Sequence, residues 1–173
     1  MKLLLGCGNS PRNGFVNLDL VPLKGVDVCA DLNAQSYPFK ENSFEHIEAQ
    51  HIIEHLDEPV KVMEELHRIA KSGATVRIQV PYYASPYAWC DPTHKHGFSY
   101  DYFSNFTEQG VHKHSTNVRF ELLDRRFTIL GRGIPVVNEI ILAIANSFPR
   151  FYERYLNALL KSDDLVFELM VRK

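Results

Sequence analysis

Leu3-Leu4-Leu5-Gly6-Cys7-Gly8-Asn9 is an apolar run that breaks into Gly-x-Gly, and Asn17-Leu18-Asp19 follows it. Three apolar residues before two glycines describe a buried parallel strand ending in a tight turn, where missing side chains let a ligand approach the backbone. In open α/β sheets ligands bind beyond the carboxyl ends of the strands, and an acid ending the next strand can accept both hydroxyls of a ribose. Asp19, at the end of Phe15-Val16-Asn17-Leu18, stands in that position. The stretch is a candidate nucleoside site, although a glycine pair after an apolar run is as often an ordinary turn. A dinucleotide fingerprint would add a third glycine three residues after Gly8 and an acid about 20 residues on. Position 11 is Pro11 and Asp19 follows Gly8 by only 11 residues, which argues against a nicotinamide cofactor.

With 173 residues, 45% hydrophobic and 23% charged, the chain reads as one domain able to bury its own core. Residues 1–81 hold the candidate nucleoside site, and 82–173 the aromatic loop, helices and last strands. A formal net charge of −2 provides no basic field, so nucleic acid is not expected as a partner. Arg125, Arg126 and Arg132 are too few for a track. Cys7, Cys29 and Cys90 are odd in number and widely spaced, which suits free thiols in a reducing cytoplasm. Three leucines before the glycine turn are too few for a signal peptide, and no stretch is long enough to span a membrane.

Further along, Ser10-Pro11-Arg12-Asn13-Gly14 is turn chemistry, and Val21 to Gly25 is also too short for a helix. Parallel strands normally need a connection of about a dozen residues, so these short crossovers are the weakest part of the expected topology. Val26 to Ala30 reads as a third strand ending at Asp31, and Phe44 to Ala49 as a fourth. A helix begins at Asp57-Glu58-Pro59, with Val62, Leu66 and Ile69 at helical spacing and Gly73 beyond its end. Ala74 to Val80 is a fifth strand. From Tyr82 to Phe106 the chain concentrates five of its eight tyrosines and its only tryptophan, and such loops carry function. Ser99 is read as capping a helix to about Gln109. Val118 to Leu130 is one bent strand or two. Val136 to Ala145 is apolar on almost every side, with burial the ordinary outcome and a homodimer or docking face the alternative. A second helix follows Pro149, and Leu165 to Val171 is the last strand.

In order and spacing, Leu4 to Gly8, Asn17-Leu18-Asp19, the Phe44 to Leu56 segment with Ile53-Glu54-His55-Leu56, and the helix and strand Glu64 to Pro81 resemble the class I S-adenosylmethionine-dependent methyltransferases of the type 11 kind. The resemblance covers roughly the first half of the chain. It implies a Rossmann-like α/β sandwich with a mostly parallel central sheet and an antiparallel C-terminal strand, here with shortened first crossovers. Carried over by position, it implies that Gly6, Cys7 and Gly8 pass close to the methionine end of S-adenosylmethionine. Asp19 and Leu20 would lie at the ribose, Asp31 and Leu32 at the adenine, and Gln50 and His51 at the sulfonium. Glu54 and His55 are read as shaping their turn.

A methyl group on a sulfonium is already activated, so such an enzyme mainly holds an acceptor in line with it. For a hydroxyl acceptor a base helps, and imidazole, with an unperturbed pKa of about 6.5, suits the task. Asp91-Pro92-Thr93-His94-Lys95-His96 supplies His94 first and His96 second, and Tyr83, Trp89 and Tyr100 could stack on a sugar. The expected reaction is O-methylation of a small-molecule or saccharide acceptor. The other reading is a non-catalytic relative that binds a nucleoside or a partner protein. His94-x-His96 and His112-x-His114 share a spacing that suits zinc or nickel, but no Cys-x-x-Cys or His-Glu-x-x-His accompanies them, and no metal is expected.

Overall fold

The computed structural model describes residues 1–173 except 113, 115, 131 and 132. Its strands are β1 (Lys2–Leu5), β2 (Val16–Asp19), β3 (Val28–Cys29), β4 (Phe44–Gln50), β5 (Ala70–Pro81), β6 (Arg119–Thr128) and β7 (Asp164–Arg172). Its helices are α1 (Pro59–Ile69), α2 (Pro135–Ser147) and the short α3 (Pro149–Phe151). All strands join one seven-stranded sheet in the order β3-β2-β1-β4-β5-β7-β6. The first five are parallel, and β7 runs antiparallel to both neighbours. The expected sheet is therefore the one observed.

The short crossovers achieve parallel pairing without helices because side chains replace the missing scaffold. Asn17 Oδ1 accepts from the Arg12 amide at 2.7 Å, and Asp27 Oδ2 accepts from the Asn17 amide at 2.8 Å. Gly25 packs so closely on Pro11 that a Cβ there would lie 2.6 Å from its ring. The two loops thus brace each other across β2.

Helix α1 forms as its sequence dictates: Pro59 occupies the first turn, and Val62, Met63, Leu66 and Ile69 are buried. β5 begins at once, at Ala70, four residues earlier than the spacing predicts. β3 shrinks to Val28–Cys29, and β6 is one strand whose register shifts between Leu122 and Asp124. The helix expected after Ser99 is only a 3-10 turn, Tyr102–Phe106, and the one after Pro149 passes into a π-helical turn, Tyr152–Leu156.

One contiguous apolar core lies against a single face of the sheet. Leu3, Leu5, Leu18, Ile47, Val76, Ile78, Phe167 and Leu169 face it from the strands, with Leu66 of α1 and Phe103 of the loop after β5 packed over them. The opposite face carries His46, Glu48, Arg77 and Glu168 in register across β4, β5 and β7. Its buried apolar members, Leu4 and Val166, stand outside that core.

Deep burial of Val136 to Ala145 is corrected. Only Ile141 and Ala145 are buried, while Val136, Val137 and Ile140 are exposed. The cause is the way α2 attaches to the sheet. Asn146 Oδ1 accepts from the Phe127 amide at 2.8 Å, and its Nδ2 donates to the Phe127 carbonyl at 3.1 Å, which occupies the open edge of β6. A helix held there turns one narrow stripe inward. Among the described residues no helix is long and apolar enough to cross a membrane. Arg132 lies outside the described residues, and Arg125 and Arg126 pair with Asp101 and Asp124.

Candidate functional site

The site gathers at the carboxyl ends of β1, β2 and β4, around Gly6. Gly6 has φ +60°, and a Cβ there would lie 2.7 Å from the Ile52 side chain, so only glycine fits. Gly8, at φ +50°, has nothing within 4 Å of its Cβ position and leaves its side of the turn open. Two cavities flank Gly6. One, of about 230 Å³, is lined by Leu4, Gly6, Cys7, Ser10, Arg12, Gln50 and His51. The other, of about 200 Å³, is lined by Gly6, Asp19, Leu20, Ala30, Asp31, Leu32, Asn33, Ile52, His55 and Leu56. All nine cofactor residues named from the sequence stand on or beside these walls, Gly8 through the amide it donates to Asp19 Oδ2 at 2.8 Å.

Asp19 Oδ1 accepts from the Val21 amide at 3.0 Å, and Asp31 Oδ1 from the Asn33 amide at 2.8 Å. Each carboxylate is held by its own turn and keeps acceptor capacity for a ligand hydroxyl or amine. Burial raises the Cys7 thiol, helped by the charge of Asp19, so that sulfur stays protonated.

His51 leaves β4 in the left-handed conformation, φ +50°, unusual without a glycine. An ion pair stabilises it there. Its Nε2 lies 3.1 Å from Asp164 Oδ2, and its Nδ1 lies 3.4 Å from Glu54 Oε1, both carboxylates being fully buried. Hydrogen bonding to Asp164, then to Glu54, raises its pKa to about 9, so it is cationic at neutral pH. Gln79 Nε2 donates to the same Asp164 oxygen at 2.7 Å.

Above this turn lies the Asp91–His96 loop, attached residue by residue to 53–57. The Lys95 amide donates to the Glu54 carbonyl at 2.8 Å, and Lys95 Nζ to Asp57 Oδ1 at 2.6 Å. His96 Nε2 donates to the Leu56 carbonyl at 2.9 Å, so its ring is a tether. His94 Nδ1 donates to the Ala88 carbonyl at 3.1 Å, and the His94 ring meets the His55 ring edge-on at 4.7 Å. Thr93 Oγ1 donates to Asp91 Oδ1 at 2.6 Å, which leaves it the acceptor for His55 Nδ1 at 2.9 Å.

The three aromatic residues named for the acceptor separate. Tyr83 and Trp89 stay together, the indole donating to the Tyr83 carbonyl at 2.8 Å, with Trp89 64% exposed. Tyr100 does not join them. It is buried and stacks on Phe127 at 5.2 Å, and it lines a different cavity with Arg125 and Phe148. Sequence reasoning also missed Arg12, Gln79, Asp164 and the exposure of His55 to the cavity. Arg12 sat among turn residues, and nothing in linear order ties Asp164 to His51. The spacing His51-x-x-Glu54-His55 was the available signal for His55.

Residues 15–78 match the family model of the methyltransferase domain. That match spans about a third of the chain, and the sheet has the fold of class I methyltransferases. The open glycine turn, flanked by two cavities and two aspartates, fits a nucleoside cofactor such as the S-adenosylmethionine of the similar solved structures. The methyltransferase fold recurs in solved structures. A S-adenosylmethionine-dependent methyltransferase from Archaeoglobus fulgidus is 16% identical over 98% of this chain and 85% of its own, with a TM-score of 0.59. A complex of a methyltransferase with its activator from Haloferax volcanii gives 15%, 99%, 82% and 0.63. The cyclase SpnF gives 14%, 99%, 75% and 0.59. No curated protein matched the sequence.

Proposed function

We propose that the chain transfers a methyl group from S-adenosylmethionine to a hydroxyl of a small-molecule or saccharide acceptor. The observation that supports this reading is the adjacency at Gly6: the glycine turn and Asp19 line one wall of a cavity whose other wall carries His55, with His94 against it. The cofactor supplies the activated methyl. Asp19 would hold the ribose hydroxyls, Asp31 with Leu32 the adenine, and Gly6, Cys7, Gly8, Gln50 and His51 the methionine end. Arg12, in the second cavity, offers a guanidinium to a carboxylate. The acceptor would enter beside Tyr83 and Trp89, and His94, whose Nδ1 is committed to Ala88, keeps Nε2 as the base. His96, bound to Leu56, would position the loop.

Calorimetric titration with S-adenosylmethionine, and with NAD as control, tests the cofactor site. Binding of the first alone is expected. Losing the charge-assisted bonds of Asp19 costs about 1.5–3 kcal/mol, so Asp19→Ala weakens binding roughly 10- to 150-fold. Unchanged affinity in a folded variant overturns the ribose assignment. Methyl transfer from labelled cofactor to a panel of sugars then tests the acceptor. A second reading, fold without methyl transfer, is favoured by one observation, a cyclase among the structures that share the fold. Cofactor binding without turnover on any acceptor would select it. The exposed apolar side of α2 further supports a homodimer through 136–145, and Ile140→Glu should then lower the sedimenting mass to that of one chain.

A further inference from the structure

The cluster Glu54, His55 and His94 offers three ligand atoms, one from each residue, all within 4.8 Å of one another. Nδ1 of each ring is already used. His55 Nδ1 donates to Thr93 Oγ1, because the Thr93 proton goes to Asp91, and His94 Nδ1 donates to the Ala88 carbonyl. With Nδ1 donating, each ring in its neutral form carries its lone pair on Nε2. This is the arrangement by which metal-binding histidines are oriented, the far nitrogen fixed by a carbonyl or a carboxylate relay. Glu54 provides an independent sign. Its side chain is fully buried; Oε1 faces His51 Nδ1 at 3.4 Å, while Oε2 has no partner among the described residues. A buried carboxylate left this way is costly.

We propose that Glu54, His55 and His94 bind a divalent transition-metal ion, with zinc the best match to two imidazoles and a carboxylate. Three protein ligands leave a coordination position open, and because His55 lines the cavity beside Gly6, that position faces the site. A water or an acceptor hydroxyl oxygen fits it; with the ion bound, His94 Nε2 would be a ligand rather than the base, and the ion would instead make the bound hydroxyl lose its proton more readily. The ion would also pin the Asp91–His96 loop to the turn beneath it. This set is not the one suggested by the His-x-His spacings: His96 is tied to Leu56, and His112 does not enter the cluster.

Metal binding is read without cofactor or acceptor, so its outcome is separate from that of methyl transfer. The chain, made without a histidine tag and stripped with chelator, is titrated with Zn(II) against a chromophoric competitor, and with Co(II) for its visible spectrum. One ion per chain is expected, with the intense Co(II) bands of a low-coordinate nitrogen and oxygen site. His94→Ala and the isosteric Glu54→Gln should each weaken binding at least about 100-fold, and Thr93→Val about 10- to 100-fold through the lost support of His55. His67→Ala, away from the cluster, should bind as the parent does. Circular dichroism confirms that each variant is folded. Absence of stoichiometric binding by the parent, or binding that survives the double change of His55 and His94 to alanine, overturns the proposal.

Discussion

The two faces of this sheet are built on opposite principles. On one, Leu3, Ile47, Val76 and Phe167 join a continuous apolar core beneath α1 and Phe103. On the other, Glu48 stands between Arg12 at 2.5 Å, His46 at 3.1 Å and Arg77 at 3.8 Å. Farther along the same face Arg126 reaches Glu168 at 3.8 Å. The difference follows from connection length. Crossovers without helices cannot cover the second face, and a face left to loops and water must be polar. The apolar face therefore carries the stability, while the polar face keeps the strands soluble and borders the Arg12 cavity.

The sharpest way to break this comparison is to truncate matched positions. Phe167→Ala, in the core, should cost about 3–5 kcal/mol, read as a fall in denaturant midpoint. On the polar face, Arg12→Ala should cost about 1–3 kcal/mol, because Glu48, only 8% exposed, loses its closest partner. The pH dependence of the parent sharpens the same point. Burial alone would raise the Glu48 carboxyl, but hydrogen bonds from Arg12 and His46 overcome it and hold it below 4.5. A carboxylate depressed on folding adds stability above its ordinary pKa and loses it as the pH falls further. The parent should thus lose stability as acid protonates Glu48, and Arg12→Ala should show a flatter acid limb in urea unfolding. Glu168→Ala, on the open side, should change stability by no more than about 0.5 kcal/mol. A large effect there would mean that the second face is covered after all.

Much of the site was legible in the chain because its residues are adjacent in sequence to the glycine turn or end a strand. Gly6, Gly8, Asp19 and Asp31 fall where parallel strands finish, and period and turn chemistry locate those ends. The surroundings of His55 and Tyr100 were not legible, for one shared reason. Alternation and loop position reveal that a residue is near an end or in a loop, but not toward which neighbour it turns. His55 turns to His94 because the Asp91–His96 loop lies across 53–57, and Tyr100 turns inward because Phe127 offers a ring to stack on. α2 shows the complementary error. An all-apolar helix reads as buried, yet the Asn146 link to the β6 edge decides which residues face the core.

By itself the sequence determined the strand order's raw material, the glycine turn, the acids after β2 and β3, and the amphipathic α1, since each depends on local spacing and backbone sterics. Only the tertiary structure decided that one face holds the core, that Asp164 neutralises His51, and that Glu54, His55 and His94 converge. Those outcomes depend on contacts between residues far apart in the chain, such as 51 with 164 and 55 with 94, which packing selects and no local pattern encodes.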